Sequence, residues 1–275
     1  MAKQKLTSNA ASVVTGAGSG IGRAFALELA RRGGRVVCSD INLASAEETV
    51  ALVEAEGGVA MAVRTDVSHL DQVEALAADA ERWLESPIDV VINNAGVGAG
   101  GSRVGEAAMD DWHWVLGVNL WGVIHGCHVF TPRLRAQGRG GIINVGSTAS
   151  FAAAPTMGPY NVSKSAVLAL TETMAAEFPG SGLHVTALCP TFVKTNIVRD
   201  GRIAGGASGF ANKVMKWAGV EAEGVARLTL DALDRNQLYV LPQLDARTIW
   251  RMKRLAPALY ARGAGVLNRL IGARN

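Results

Sequence analysis

The sequence predicts an α/β fold: a single doubly wound, parallel, seven-stranded sheet with helices on both faces and a C-terminal helical extension. Three observations predict it. Short β-branched runs alternate with longer segments of helical periodicity along most of the 275 residues. The strand candidates are apolar almost throughout, as strands covered on both faces must be. Glycine is abundant at 32 residues while aromatics make up only 5%. That balance suits glycine-rich strand-to-helix turns better than a β-sandwich.

The elements follow in order. A strand over 12–15 leads through glycines into a helix over 21–32. A strand over 35–39 precedes a helix over 44–56, and a strand over 60–64 precedes a helix over 70–84. The run 89–93 is the fourth strand. After it comes a loop and a segment, 112–132, of 21 residues without Asp, Glu, Lys or Arg. That length would span a bilayer, but His113, His125, His128, Asn119 and three glycines within it predict a buried helix of a globular domain. The fifth strand is 141–145, followed by a helix over 160–177. The sixth is 183–188. A long glycine-bearing loop, 191–220, is the expected substrate loop. A helix over 222–235 and a last strand over 237–241 complete a domain spanning 1–242, with a basic extension over 243–275. Strict alternation requires right-handed crossovers and hence parallel pairing.

Composition narrows the function. At 49% apolar residues the chain is no disordered tail. Cys38, Cys127 and Cys189 are scattered and form no CxxC pair, which argues against a disulfide framework or a structural zinc and for a reducing, cytoplasmic setting. The start of the chain lacks the apolar core of a signal peptide. His125, Cys127 and His128 read as packing on a helix, so no metal is expected. The net charge is +3, and 243–275 holds seven Arg or Lys against one Asp, +6, which leaves −3 for the remainder. Nucleic acid is not expected as a partner.

The chemistry lies in the turns. Thr15-Gly16-Ala17-Gly18-Ser19-Gly20-Ile21-Gly22 joins the first strand to the first helix. Its glycines let backbone approach an anion, and the helix start aims free N–H groups at it, so a dinucleotide pyrophosphate is expected there. Asp40 closes the second strand, 18 residues past Gly22. An acid there accepts hydrogen bonds from ribose hydroxyls and repels a 2′-phosphate. With Ser19 and Ile41 beside it rather than a cation, NAD is expected over NADP. Tyr160 and Lys164, four apart, share one helical face. An ammonium near a phenol favours the phenolate, a pairing suited to general acid/base work. Ser147, just past the fifth strand, can hold a substrate oxygen beside the phenol.

Residues 8–242 resemble the short-chain dehydrogenase/reductase family, with its Rossmann-type fold. The resemblance is carried by the glycine motif, Asp40, Asp66-Val67, Asn93-Asn94-Ala95-Gly96, Asn119, Ser147, Tyr160 and Lys164. It implies that Gly16, Ser19 and Ile21 line the pyrophosphate and that Asp66 and Val67 hold the adenine. Asn93, Ala95 and Gly96 would border the adenosine and stabilise the central sheet. It implies Tyr160 as acid/base, Lys164 on the nicotinamide ribose, Ser147 orienting the substrate and Asn119 anchoring a proton relay. Pro190, Val193 and Thr195 would meet the carboxamide. Thr191 departs from the Pro-Gly usual at that point. A homodimer or homotetramer is the expected assembly.

Substrate candidates by position are Ala149, Phe151, Ala153, Met157, Phe192, Ile197, Phe210, Met215 and Trp217, with Lys194 and Arg199 at the rim. Their apolar character points to a bulky secondary alcohol or ketone. The alternatives are an NADPH-dependent 3-oxoacyl-type ketoreductase and a non-catalytic dinucleotide-binding regulator. For 243–275, an amphipathic helix broken at Pro257, the expected uses are in order a cover on the active-site mouth, a subunit contact and a peripheral contact with anionic lipid.

Overall fold

The computed structural model describes residues 5–195, 201–203 and 219–272. Its centre is a seven-stranded sheet with every pairing parallel: β1 (Ala11–Thr15), β2 (Arg35–Asp40), β3 (Val59–Arg64), β4 (Val90–Asn93), β6 (Gly140–Val145), β7 (Leu183–Leu188) and β9 (Tyr239–Val240), in the spatial order β3-β2-β1-β4-β6-β7-β9. The chain winds outward from β1 to β3, returns to β4 and winds out the other way. The reversal between β1 and β4 opens a crevice at their carboxyl ends, where doubly wound sheets bind ligands. Register is continuous across it, with Val13 opposite Val37 on one side and Val91 on the other.

Helices α1 (Gly20–Arg31), α2 (Leu43–Ala55) and α3 (Leu70–Leu84) follow the first three strands. Two cores flank the sheet. Phe25, Leu29, Ile143, Leu188, Leu230 and Leu233 fill one. Leu76, Leu84, Val91, Phe130, Ile142 and Val185 fill the other. Alternate residues of β6, Ile142 and Ile143, thus enter opposite layers, as the two-residue period of a strand requires.

The uncharged segment is a long helix that starts earlier and runs later than 112–132. It comprises α4 (Met109–Leu116), a π-helical turn (Gly117–Trp121) and α5 (Gly122–Ala136). It is buried along one face only: Val115, Asn119, Val123 and Phe130 are covered while Trp121 is exposed. Its glycines permit close packing. A Cβ on Gly126 would lie 2.0 Å from Asn93 Oδ1, and one on Gly122 2.6 Å from Val67 Cγ2. Among the described residues no helix is long and apolar enough to cross a membrane.

Two features escape the periodicity. A short helix, α6 (Ala149–Ala152), precedes α7 (Gly158–Glu177). A second, two-stranded sheet pairs β5 (Ala99–Gly100) with β8 (Arg202–Ile203), so the loop after β4 meets part of the expected substrate loop. Helix α8 (Ala222–Asp234) packs on α1, where Arg32 meets Asp231 at 2.9 Å. The extension is helical as expected: α9 (Leu244–Leu255) and α10 (Pro257–Gly272) meet at Ala256–Pro257.

Candidate active site

The glycine turn is held open from below. Asn94 Nδ2 donates to Thr15 O at 2.9 Å and to Gly16 O at 3.1 Å, and Thr15 Oγ1 accepts from the Asn94 and Ala95 amides. Gly16 has φ +64°, and a Cβ there would lie 2.8 Å from Ala95 Cα. A Cβ on Gly22 would lie 2.0 Å from Gly16 O. Both glycines are therefore dictated by geometry. Helix α1 starts at Gly20 with no capping hydrogen bond from the Ser19 side chain and no acid in its first turn. Its orphan N–H groups and positive dipole end suit an anion. Uncapped donors beside a glycine cradle fit a dinucleotide pyrophosphate.

Asp40 reaches the same turn. Its Oδ2 accepts from Gly18 N at 2.9 Å and its Oδ1 from Asn42 N at 3.0 Å. Arg23 supports the turn from the helix, donating to Gly18 O while pairing with Glu48 at 3.0 Å and Thr49 at 3.0 Å. Asp66 Oδ1 accepts from Ser68 N and Oγ, and Val67 is packed against Gly122 with its carbonyl 2.9 Å from His125 Nδ1. His125 thus has a structural partner. Asn93 turns away from the crevice: its Nδ2 donates to Asn144 Oδ1 at 2.8 Å, and Asn144 donates to Thr171 at 3.1 Å. This buried ladder ties β4, β6 and α7. Asn94, to which the sequence reading gave no role, is the neighbour that supports the glycine turn.

Ser147, Tyr160 and Lys164 converge above β6. Lys164 is 3% exposed, and its Nζ donates to Val145 O at 2.9 Å while lying 5.9 Å from the centre of the Tyr160 ring. Burial pulls its ammonium down to about 8. The nearby Ser147 hydroxyl favours the Tyr160 phenolate, but burial outweighs it and the phenol is raised above its ordinary value. The sequence expectation of a lowered phenol is thus reversed, because desolvation disfavours the charged form. Buried Cys189 also sits in this cluster, beside Ser150 and Ser147, with its thiol pushed up to about 12 by burial.

Asn119 lies on the π turn, fully buried. Its Oδ1 accepts from Val97 N at 2.7 Å and its Nδ2 donates to Val97 O at 2.9 Å. Gly96 faces both groups: a Cβ there would lie 3.2 Å from Asn119 Oδ1 and 3.4 Å from Lys164 Nζ. The π turn swings Asn119 inward toward the loop after β4, in keeping with the concentration of such turns at functional sites.

Pro190, Val193 and Thr195 follow β7. Pro190 O accepts from Thr148 N at 2.8 Å, Val193 bridges to Val220, and the Thr195 methyl faces Gly20. The loop thus spans from Ser147's neighbour to the glycine turn. Of the substrate candidates, Phe151 is partly buried and, like Tyr239 and Leu241, packs against the small core of Leu168, Ala187 and Cys189. Met157 bridges to Ser102 and Phe192 is partly exposed. Ala149 is buried and Ala153 exposed. Lys194 is exposed and pairs with Glu221. Ile197, Arg199, Phe210, Met215 and Trp217 lie outside the described residues. A cleft of about 270 Å³ between the β5–β8 sheet and the start of α7 is lined by Ala99, Gly100, Ser102, Ala107, Asp111, Thr156, Pro159 and Arg202. Arg202, overlooked in the sequence, pairs with Asp111 at 3.0 Å and covers the Trp114 ring at 4.3 Å. Ala153 and Thr156, at φ +51° and +62°, carry backbone strain just before Tyr160.

The parallel sheet, its switch point and the uncapped α1 start define a dinucleotide-binding α/β protein. Comparison with known proteins takes this further. A sequence profile described as short chain dehydrogenase matches residues 10–204. The chain is 42% identical over 186 residues to a probable oxidoreductase, EphD, of Mycobacterium tuberculosis. That match covers 67% of this chain and 31% of the relative, so the chain spans about a third of that protein's length. Identity is 35% over 257 residues, 90% of each chain, to the 1-deoxy-11-beta-hydroxypentalenate dehydrogenase of Streptomyces exfoliatus. A short chain dehydrogenase/reductase from Burkholderia phymatum, solved in complex with NAD, superposes with a TM-score of 0.87 at 34% identity, covering 93% of this chain and 96% of that one. The chain belongs to the short-chain dehydrogenase/reductase family of oxidoreductases, which bind a nicotinamide dinucleotide.

Proposed function

We propose that the protein is an NAD-dependent dehydrogenase or ketoreductase for a bulky apolar secondary alcohol or ketone, with Tyr160 as general acid/base. The observation that carries this reading is the meeting of the Ser147 hydroxyl, the Tyr160 phenol and the Lys164 ammonium above β6, with Lys164 fixed on Val145 O at 2.9 Å. The bound nicotinamide ring supplies hydride exchange. Tyr160 Oη passes its proton to the carbonyl oxygen in reduction and takes the hydroxyl proton in oxidation. Ser147 Oγ–H holds the same oxygen. Lys164 binds the nicotinamide ribose, and its charge opposes the desolvation that keeps the phenol protonated. Asn119 fixes the turn that closes this corner and borders the proton path from Lys164.

Gly16, Ser19 and Ile21 hold the pyrophosphate on the α1 start. Asp66 and Val67 hold the adenine. Ala95 and Gly96 border the adenosine, with Asn93 locking the sheet beneath. Pro190, Val193 and Thr195 meet the carboxamide. NAD is favoured because the Asp40 carboxylate lies against the glycine turn, and Arg23, the nearby cation, is already paired with Glu48. The similar Burkholderia phymatum protein was solved with NAD. A neutral substrate is favoured because the Arg202 charge is paired with Asp111 and its face is stacked on Trp114. The similar Streptomyces exfoliatus protein is by name a 1-deoxy-11-beta-hydroxypentalenate dehydrogenase, which acts on a hydroxyl-bearing substrate.

For assembly we propose a homodimer or homotetramer through the groove between α5 and α7, lined by Ile124, Leu170, Met174 and Phe178 among others. Light scattering of the purified chain tests it. The function is tested by a steady-state screen of secondary alcohols with NAD and NADP, following reduced-cofactor absorbance. Turnover of apolar cyclic alcohols with NAD is the expected result. Absence of turnover across the panel, with the cofactor bound, would favour a regulator instead.

A further inference from the structure

Thr191 stands where the resembled family has glycine, and the structure gives its side chain a task. Thr191 Oγ1 donates to Asp245 Oδ1 at 3.0 Å and lies 3.1 Å from Thr148 Oγ1. A hydroxyl has one proton, and a carboxylate can only accept. The proton of Thr191 is therefore directed at Asp245, so Thr148 must donate to Thr191. The hydroxyls run in one direction, from Thr148 through Thr191 to Asp245. The backbone is tied as well. Thr191 N donates to Gln243 Oε1 at 3.1 Å, and Gln243 Nε2 donates to Phe192 O at 3.0 Å. The Gln243 amide thus pairs with loop backbone as a neighbouring strand would.

Both residues that make this contact begin the C-terminal extension, and the extension is fixed again further on. Ala246 of α9 is fully buried and α9 packs on α6. Trp250 meets the Tyr239 ring edge-on at 5.8 Å, and Arg254 lies 4.0 Å above Trp250. Arg254 and the Tyr239 hydroxyl both reach Glu172, at 3.5 and 2.6 Å. Glu172 is on α7, the helix that carries Tyr160 and Lys164. One end of α9 therefore grips the loops 147–148 and 190–192, and the other grips the catalytic helix.

We propose that Thr191, Gln243 and Asp245 form a clasp through which the C-terminal extension positions the 190–195 loop against the Ser147 loop, making all three positioning residues for the reaction. This rests on the reading that the 190–195 loop meets the nicotinamide carboxamide. The glycine of the resembled pattern has no side chain with which to make such a link. The clasp lies at the opposite end of the site from the glycine turn. It therefore acts on the placement of the reacting ring and not on holding the pyrophosphate.

The test pairs kinetics with amide hydrogen exchange in the full-length protein. Thr191→Val keeps the branched shape and removes the hydroxyl; Asp245→Ala removes the acceptor; Gln243→Ala frees the Thr191 amide. Each variant should lower kcat by roughly three- to tenfold, the worth of one ordinary hydrogen bond, with the cofactor Kd within about twofold. The Thr191→Val and Asp245→Ala double variant should lose no more than the worse single one, since both break one link. Thr191→Ser should restore the wild-type rate. Exchange at the 191–195 amides should quicken in Gln243→Ala and Asp245→Ala. Wild-type exchange in those variants, losses that multiply in the double variant, or no rescue by serine would each overturn the clasp. If no alcohol is turned over by the wild-type chain, the catalytic reading fails while the exchange result still decides whether the clasp holds the loop.

Discussion

The Asp40 carboxylate accepts a hydrogen bond from the Gly18 backbone amide across 2.9 Å, so the acid that ends β2 lies directly on the phosphate turn. The contact explains the glycine: a Cβ on residue 18 would sit 2.8 Å from Asp40 Oδ2. It also places a fixed negative charge where the adenosine ribose of a pyrophosphate-bound dinucleotide would lie. A 2′-phosphate there would meet like charge at short range, and a ribose diol would meet an acceptor.

NAD should therefore exceed NADP in kcat/KM for the wild-type protein. Combining Asp40→Ser with Ile41→Arg should move the preference toward NADP by at least tenfold, about 1.4 kcal/mol. Ile41 is exposed at 58%, so arginine there enters no core. Wild-type efficiency with NADP equal to that with NAD would refute the assignment.

Tyr160→Phe should leave cofactor Kd unchanged within about threefold and reduce kcat by roughly a hundredfold or more, the range for losing a general acid/base. The ring and its 5.9 Å approach to Lys164 Nζ are kept; only the proton is lost. Stopped-flow titration with NADH separates binding from turnover. A variant with a tenth or more of wild-type kcat at its best pH would count against Tyr160.

Much of this was legible in the chain. The seven strands came from apolar β-branched runs, and their boundaries shift by a residue or two, as hydrogen-bonded ends do. The small β5–β8 sheet was not legible, because two residues carry no period and Arg202 is about a hundred residues from its partner strand. Phe151 is a pocket candidate by position; α6, too short to show a pattern, also packs it against Leu168, Ala187 and Cys189, a contact that position does not encode. The Tyr160–Lys164 pairing was visible as an i, i+4 spacing, but the direction of the phenol's shift depends on burial, which spacing does not encode. Thr191 was visible only as a departure, since its partners Gln243 and Asp245 lie more than fifty residues on.

Gly126 tests the fit of helix to sheet. A methyl at that position would lie 2.0 Å from the buried Asn93 Oδ1, and Asn93 is held by Asn144. Neither α5 nor β4 can yield without disturbing that ladder. Gly126→Ala should lower the unfolding free energy by about 1–3 kcal/mol, the usual cost of overpacking, despite alanine's better helix propensity. Chemical denaturation measures it, and a stabilised variant would show that the ladder moves aside freely.

Buried thiols should weaken the fold at alkaline pH, with the raised phenols of Tyr160, Tyr239 and Tyr260 adding in the same sense above about pH 10. Cys38, Cys127 and Cys189 are each buried, and desolvation pushes each thiol up to about 12 from an ordinary 9.0. The unfolded chain sheds these protons near pH 9, while the folded chain keeps them to about 12. Their contribution is complete below pH 9 and is lost as pH rises from there, because the unfolded state then binds fewer protons. Lys164 acts in the opposite sense. Its ammonium is held at about 8 against an ordinary 10.5, so between those values it makes stability rise with pH. Three thiols face one lysine, each worth on the order of 1.4 kcal/mol per pH unit where fully titrating between the two states. Above pH 9 the thiols prevail, and the urea midpoint should fall steadily from pH 9 to 10.5. Cys38→Ala tests the cause, since Cys38 lies within β2, away from the Tyr160 cluster. Its removal should make the decline shallower, whatever it does to stability at pH 7. A midpoint that is flat or rising over that range in the wild-type protein, or an unchanged slope in Cys38→Ala, would show that the thiols do not drive the alkaline loss.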